Sequence, residues 1–293
     1  MTILVTGATG NVGRRVVGQL LEAGESVRAL TRRPEGAGLP AAARIVTGDL
    51  AQPATLPDAL AGVEKMFLFP VPETAREVVD LAVKAGVRRV VLLSSATVTA
   101  GWDTEYHLPV ERAVEASGLE WTHVRPGEFA VNSLHMWGPS IRSRRTVVEP
   151  YPSRLSTPIH EWDIADAAAA ALLEDRHANT AYTLAGPQKL SQREQVAAIA
   201  EALGEEIRLD QVSVAEARAF YHRQGGWAAA NADFLLGYED YSGVESVPED
   251  DESAAWEGAE PPEAPGTVTA DAVTGRPARP YTEWARDHAA DFR

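Results

Sequence analysis

The sequence predicts an α/β fold, a doubly wound parallel sheet, on three observations. Short β-rich runs alternate with helical patterns through the first half of the chain. Val90 to Leu93 is an unbroken apolar run, as a strand covered on both faces requires. A glycine-rich turn leads from the first apolar run straight into an amphipathic stretch.

Taken in order, strands are expected over 3–6, 26–31, 44–46, 65–69, 89–93 and 120–124, with 181–184 returning to the sheet. Val12, Val16, Val17, Leu20 and Leu21 mark the stripe of the first helix. Further helical stretches lie over 53–60, over 74–85 before Gly86, and over 110–117 before Gly118. Residues 138–158 read as irregular, because Gly138, Pro139, Pro150, Pro152 and Pro158 interrupt them. Four arginines, Arg142, Arg144, Arg145 and Arg154, fall in the same stretch, mostly as a solvated loop. An alanine-rich helix follows over 164–173.

Two capping boxes, Ser191 with Glu194 and Ser213 with Glu216, start helices expected to form a small cap over the carboxyl ends of the strands. Residues 239–263 hold ten acidic residues and no Lys or Arg, without periodicity, and read as a solvated loop. Helical character returns over 281–292, where Trp284, His288 and Phe292 share one face.

Composition narrows the chemistry. The 293 residues carry a formal net charge of −15, which disfavours nucleic acid as a partner. There is no cysteine, so thiolate catalysis, disulfides and cysteine metal sites are excluded. No leader and no membrane-length apolar run is evident, so a cytoplasmic protein without a membrane partner is expected. Three lysines among 27 basic residues, with abundant alanine, point to a GC-rich bacterial genome. A homodimer is compatible with the sequence, which does not fix the oligomeric state.

The glycine turn carries the first functional expectation. Gly7, Gly10 and Gly13, with Thr6, Thr9, Asn11 and Val12, stand between the first strand and the first helix. Glycines there let backbone approach a pyrophosphate, and the helix end offers free amides and a favourable dipole. The end of the second strand has no acid to hold a ribose diol, but Arg32 and Arg33 instead. Their guanidinium groups suit a 2′-phosphate, so NADP(H) is the expected cofactor. Asp49 and Leu50 are candidates for the adenine, Asp49 having an Asx turn as its alternative. Phe69 and Pro70 would border the nucleotide at the fourth strand end. Ser94 and Ser95 stand at the end of the fifth strand, where hydroxyls meet a ligand or cap the strand end. Pro126, Gly127 and Phe129 end the sixth, with Phe129 a candidate substrate wall.

Together with Arg125-Pro126-Gly127-Glu128-Phe129, Trp162-Asp163-Ile164-Ala165-Asp166 and Thr274-Gly275-Arg276-Pro277, these motifs resemble the NmrA-like atypical short-chain dehydrogenase/reductase family. The resemblance covers the chain apart from 239–263. It implies a Rossmann-type domain, residues 1–130 with 155–185 returning to it. It also implies a smaller C-terminal substrate-binding lobe from 131–154 and 186–293. The implied function is an NADPH-dependent reductase of a small conjugated or aromatic carbonyl, quinone or imine. A non-catalytic NADP(H)-sensing regulator acting through a protein partner is the alternative.

The Tyr-x-x-x-Lys pair that short-chain dehydrogenases typically use is not restored in either register: Tyr106 is followed four residues on by Val110, and Asp103 by His107. His107 titrates in a useful range as a residue type and is the candidate acid, with Tyr106 and Ser95 beside it as further catalytic candidates. Trp137, Tyr151, Phe220, Tyr221 and Trp227 are candidates for an aromatic substrate pocket. His160 with Asp163 lacks a third ligand, so no metal is expected.

Overall fold

The computed structural model describes residues 1–239 and 264–293, so all but Glu239 of the acidic stretch 239–263 lies outside the described residues. Eleven strands are described: β1 (Thr2–Val5), β2 (Ser26–Thr31), β3 (Arg44–Thr47), β4 (Lys65–Leu68), β5 (Arg89–Leu93), β6 (Glu120–Pro126), β7 (Thr146–Glu149), β8 (Leu155–Ser156), β9 (Thr180–Leu184), β10 (Leu190–Ser191) and β11 (Arg208–Gln211). Seven of them form one sheet in the order β3-β2-β1-β4-β5-β6-β9, with every neighbouring pair parallel. The order reverses between β1 and β4. This is the Rossmann-type topology, and its ligand crevice lies at the carboxyl ends of those strands.

Alternation within the strands sets the layers. Leu4, Leu30, Met66, Val90 and Leu92 share an apolar cluster with Val78, Val79, Val110 and Val114. Those last four belong to α3 (Ala75–Lys84) and α5 (His107–Glu115). Helices α1 (Gly13–Glu22) and α7 (Glu161–Leu173) pack against each other, and alanines 167–171 in α7 are buried. Small side chains let α7 lie close to its neighbours. Two buried cations cap its carboxyl end: Lys65 Nζ donates to Leu172 O at 2.6 Å, and Arg89 Nη1 to Glu174 O at 2.9 Å.

The chain divides into two compact units: 1–127 with 161–184 and 264–277, and 128–160 with 185–263 and 278–293. Besides residues 128–130 and Ala185, which group with the second unit, two longer segments differ from the expected division. Residues 155–160 group with the second unit, where β8 pairs antiparallel with β10. Residues 264–277 group with the first, where Val268 N donates to Thr183 O at 2.9 Å beside β9.

Within the second unit, Trp284, Tyr281, Phe292, Tyr221 and Ile199 are core residues. Helix α6 (Val131–Arg144) runs through Gly138 and Pro139, where an irregular chain was expected. Proline removes one donor from such a helix. Outside partners support the interrupted region: Gln224 Nε2 donates to Met136 O at 2.8 Å, and Arg142 Nη1 to Asp291 O at 2.6 Å. Both capping boxes form as expected, at the starts of α8 (Gln192–Leu203) and α9 (Val214–Gln224). Among the described residues, no helix is long and apolar enough to cross a membrane.

Candidate functional site

Thr6 ties the two strands that flank the topological reversal. Its hydroxyl donates to Phe67 O at 3.0 Å and accepts from Phe69 N at 2.7 Å. The glycines that follow leave space no other residue would leave. Gly7 has φ +58°, and Gly10 N donates to Gly7 O at 2.9 Å. A Cβ on Gly13 would stand 2.2 Å from Gly7 O, and one on Gly7 would stand 3.1 Å from Phe69 Cβ. Helix α1 begins without a capping side chain at Val12 and without an acid in its first turn. Its positive end therefore faces outward, and the cradle fits a pyrophosphate. Thr9 is half-buried and Asn11 exposed. Arg14, which the sequence reading passed over, braces the turn by donating to Thr9 O from Nε at 3.3 Å and Nη2 at 2.8 Å. Its place directly after the last glycine was the available signal.

Arg32 and Arg33 are exposed at the end of β2, where Thr31 Oγ1 accepts from Arg33 N at 3.2 Å. Asp49 takes the Asx-turn arrangement, its Oδ1 accepting from Ala51 N at 3.0 Å. Leu50 is buried in the apolar cluster with Leu30 and Leu56. Phe69 is exposed and Pro70 buried.

Ser94 is buried, and its hydroxyl donates to Glu111 Oε1 at 2.5 Å inside a buried network. Arg125 closes that network, with Nε 2.8 Å from Glu111 Oε1 and Nη2 2.5 Å from Oε2. The Ser94 hydrogen is spent on that carboxylate, and the hydroxyl oxygen keeps lone pairs that accept hydrogen bonds. Ser95 caps α4 (Ala96–Thr99), accepting from Thr97 N at 3.3 Å and from Thr97 Oγ1 at 2.8 Å. At the end of β6, Pro126 is buried and Gly127 N donates to Leu184 O at 2.8 Å. Phe129 belongs to the second unit and packs against that unit's core.

Beyond Ser95, the chain folds over the end of β5. Trp102 N and Asp103 N both donate to Thr97 O, at 2.9 and 3.2 Å. Asp103 is buried, and its Oδ1 accepts from Tyr106 N and His107 N, each at 3.0 Å. Its Oδ2 lies 2.5 Å from His107 Nδ1. Burial works to raise the Asp103 carboxyl, but hydrogen bonds from the His107 ring and the two amides outweigh it and hold it below the usual range. Tyr106 is exposed, meets the His107 ring edge-on at 4.8 Å, and is raised by desolvation and then by the charges of Glu73 and Asp103.

Of the five aromatic candidates, Phe220 is partly buried and packs against the core of the second unit. Trp137, Tyr151 and Tyr221 are buried in its core, whereas Trp227 is exposed. The arginines there have local partners: Arg145 pairs with Glu205, and Arg144 lies 5.0 Å from the Phe220 ring centre. Two carboxyls that the sequence reading gave no role are perturbed. Burial raises Glu128, and it pushes Glu149 up to about 7 against hydrogen bonds from Tyr151 N and Trp137 and the charge of Arg154. Glu111, Glu115 and His123 bring ligand atoms within 4.8 Å of one another. Glu111 is already chelated by Arg125, so the trio reads as an ion-pair network.

A family model described as NAD(P)H-binding matches residues 7–175, more than half of the chain. The chain belongs to this NAD(P)H-binding family. A (4-alkanoyl-5-oxo-2,5-dihydrofuran-3-yl)methyl phosphate reductase of Streptomyces griseus is 36% identical over 302 residues, covering 99% of both chains. An NAD(P)H azoreductase of Xenophilus azovorans is 33% identical over 313 residues, again covering 99% of both. Among solved structures, an Escherichia coli NADPH-dependent quinone oxidoreductase complexed with NADPH has a TM-score of 0.74 at 23% identity, covering 98% of this chain and 99% of that one. The family's cofactor class agrees with the cradle built by Gly7, Gly10 and Gly13.

Proposed function

We propose that this protein is an NADPH-dependent reductase of a small conjugated or aromatic acceptor, a carbonyl, quinone or imine, with His107 as proton source. The observation that carries the reading is His107, the first residue of α5 in the segment that follows β5, whose ring Nδ1 lies 2.5 Å from the buried carboxylate of Asp103. The full-length reductase relatives support it. The compound in the Streptomyces griseus relative's name is a ring alkene flanked by two carbonyl groups, and the other relative's name specifies azo compounds. Both are delocalised acceptors.

When bound, the reduced nicotinamide supplies hydride. Amides of Asn11, Val12 and Gly13 bind the pyrophosphate, with Thr6, Gly7, Thr9 and Gly10 shaping the turn. Arg32 and Arg33 hold the 2′-phosphate. Asp49 and Phe69, with the backbone at Pro70, border the nucleotide, and the backbone at Ser94, Ser95, Pro126 and Gly127 borders its nicotinamide half. His107 gives a proton from Nε2 to the atom of the acceptor that gathers charge, and Tyr106 and Trp102 offer aromatic surface beside it. We assign substrate recognition to the second unit. The test is NADPH oxidation against a panel of quinones, conjugated enones and azo compounds. Steady consumption with any class supports the reductase; tight NADPH binding without turnover across the panel, with a co-purifying protein, favours a sensor instead.

A further inference from the structure

The loop between α4 and α5 holds an ionised carboxylate where a cap alone would suffice. Asp103 side-chain exposure is 4%, whereas the His107 side chain keeps 22%. Oδ1 serves the amides of Tyr106 and His107, and Oδ2 faces the His107 ring at 2.5 Å. An ionised carboxylate only accepts hydrogen bonds, so the ring nitrogen facing it carries the hydrogen. That fixes the tautomer. Nδ1 is spent on Asp103, and Nε2 is left as the nitrogen that exchanges protons with whatever lies outside.

We propose that Asp103 is the positioning residue of His107: its buried carboxylate takes the Nδ1 hydrogen and sets Nε2 as the atom that delivers the proton to the acceptor. This rests on the reductase reading above. The acceptor gains a hydride from the reduced nicotinamide, which is oxidised, and a proton from Nε2. The neutral imidazole left behind regains its proton from water. The anion beside Nδ1 balances the imidazolium before transfer, and the amides that hold Oδ1 keep the ring from turning. Groups whose contacts or charge reach this pair include Tyr106 at the ring edge and Glu73, from the turn after β4, acting through Tyr106. Their effect is common to wild type and variant.

The test compares wild type with Asp103→Asn and His107→Gln. Asn is as good a helix cap as Asp, so the variant keeps an acceptor for the Tyr106 and His107 amides. In the wild type, proton NMR of the holoenzyme, assigned through His107→Gln, is expected to show a far-downfield Nδ1 hydrogen. Asp103→Asn is expected to lose that signal, to lower kcat about tenfold or more, and to move the alkaline fall of kcat down by about one pH unit, with KM for NADPH unchanged. A wild-type signal and pH profile retained in Asp103→Asn would overturn the proposal and reduce Asp103 to a helix cap. An absent Nδ1 signal in the wild type would overturn it as well. If wild-type protein turns over no acceptor, the reductase reading fails by itself, and the proton-delivery role of this pair falls with it.

Discussion

Gly7 and Gly13 touch so closely that a single added carbon on Gly13 would lie 2.2 Å from the Gly7 carbonyl oxygen. The first helix can sit directly on the end of β1 only because Gly13 has no side chain there. Gly13→Ala is expected to push α1 away from the turn, and NADPH binding to weaken by about tenfold or more, equivalent to about 1.4 kcal/mol. Fluorescence titration measures this. Unchanged affinity in a folded variant would mean that the amides of this turn do not hold the cofactor.

Arg32 and Arg33 are exposed and lie one strand from the glycine turn. Replacing both by Ala is expected to weaken NADPH binding by about 10- to 100-fold, the loss of about one charge-assisted hydrogen bond at about 1.5–3 kcal/mol. NADH binding should stay the same. Paired titrations check it, and equal losses for both cofactors would remove the 2′-phosphate from the account.

Arg125 and Glu111 form a two-pronged ion pair in the first unit, with Glu111 1% exposed. Arg125→Met leaves a buried carboxylate without its cation and is expected to cost about 3–5 kcal/mol in urea unfolding. The double variant Arg125→Met with Glu111→Leu should recover much of that loss. A double variant no better than the single would show that packing, not charge, dominates there.

Glu149 gives a pH signature. Burial lifts its carboxyl from 4.5 to about 7, so the folded state binds the proton more tightly than the unfolded state. Its stability contribution is therefore full below about pH 4.5 and is lost as pH rises through 7. Glu149→Gln should melt near wild type at pH 5 and higher by about 2–4 °C at pH 8, roughly 1 kcal/mol. Thermal melts at the two pH values decide, and a variant that is less stable at pH 8 contradicts the assignment.

Local signals carried the sheet and the cradle. Apolar runs such as Val90 to Leu93 and the glycines at 7, 10 and 13 have meanings set by their nearest neighbours in sequence, so they could be read without coordinates. What escaped depended on distant partners. Ser94 reads as a candidate ligand contact, but the Glu111 that takes its hydrogen comes from α5 and is held in turn by Arg125 of β6. Pro139 looked like a helix breaker, yet α6 continues through it with support from Gln224 and Asp291. Leu50 reads as a candidate for the adenine, and only the fold shows it packed with Leu30 and Leu56. Asp103 and His107 show a middle case. Their four-residue spacing is visible in the sequence, but the turn at the start of α5 that brings their side chains together is not.

Equilibrium titration of the protein with NADPH and with NADH probes the whole account most directly. Saturable binding of NADPH, tighter than NADH by about tenfold or more, is the predicted result. Failure of both dinucleotides to saturate would contradict it.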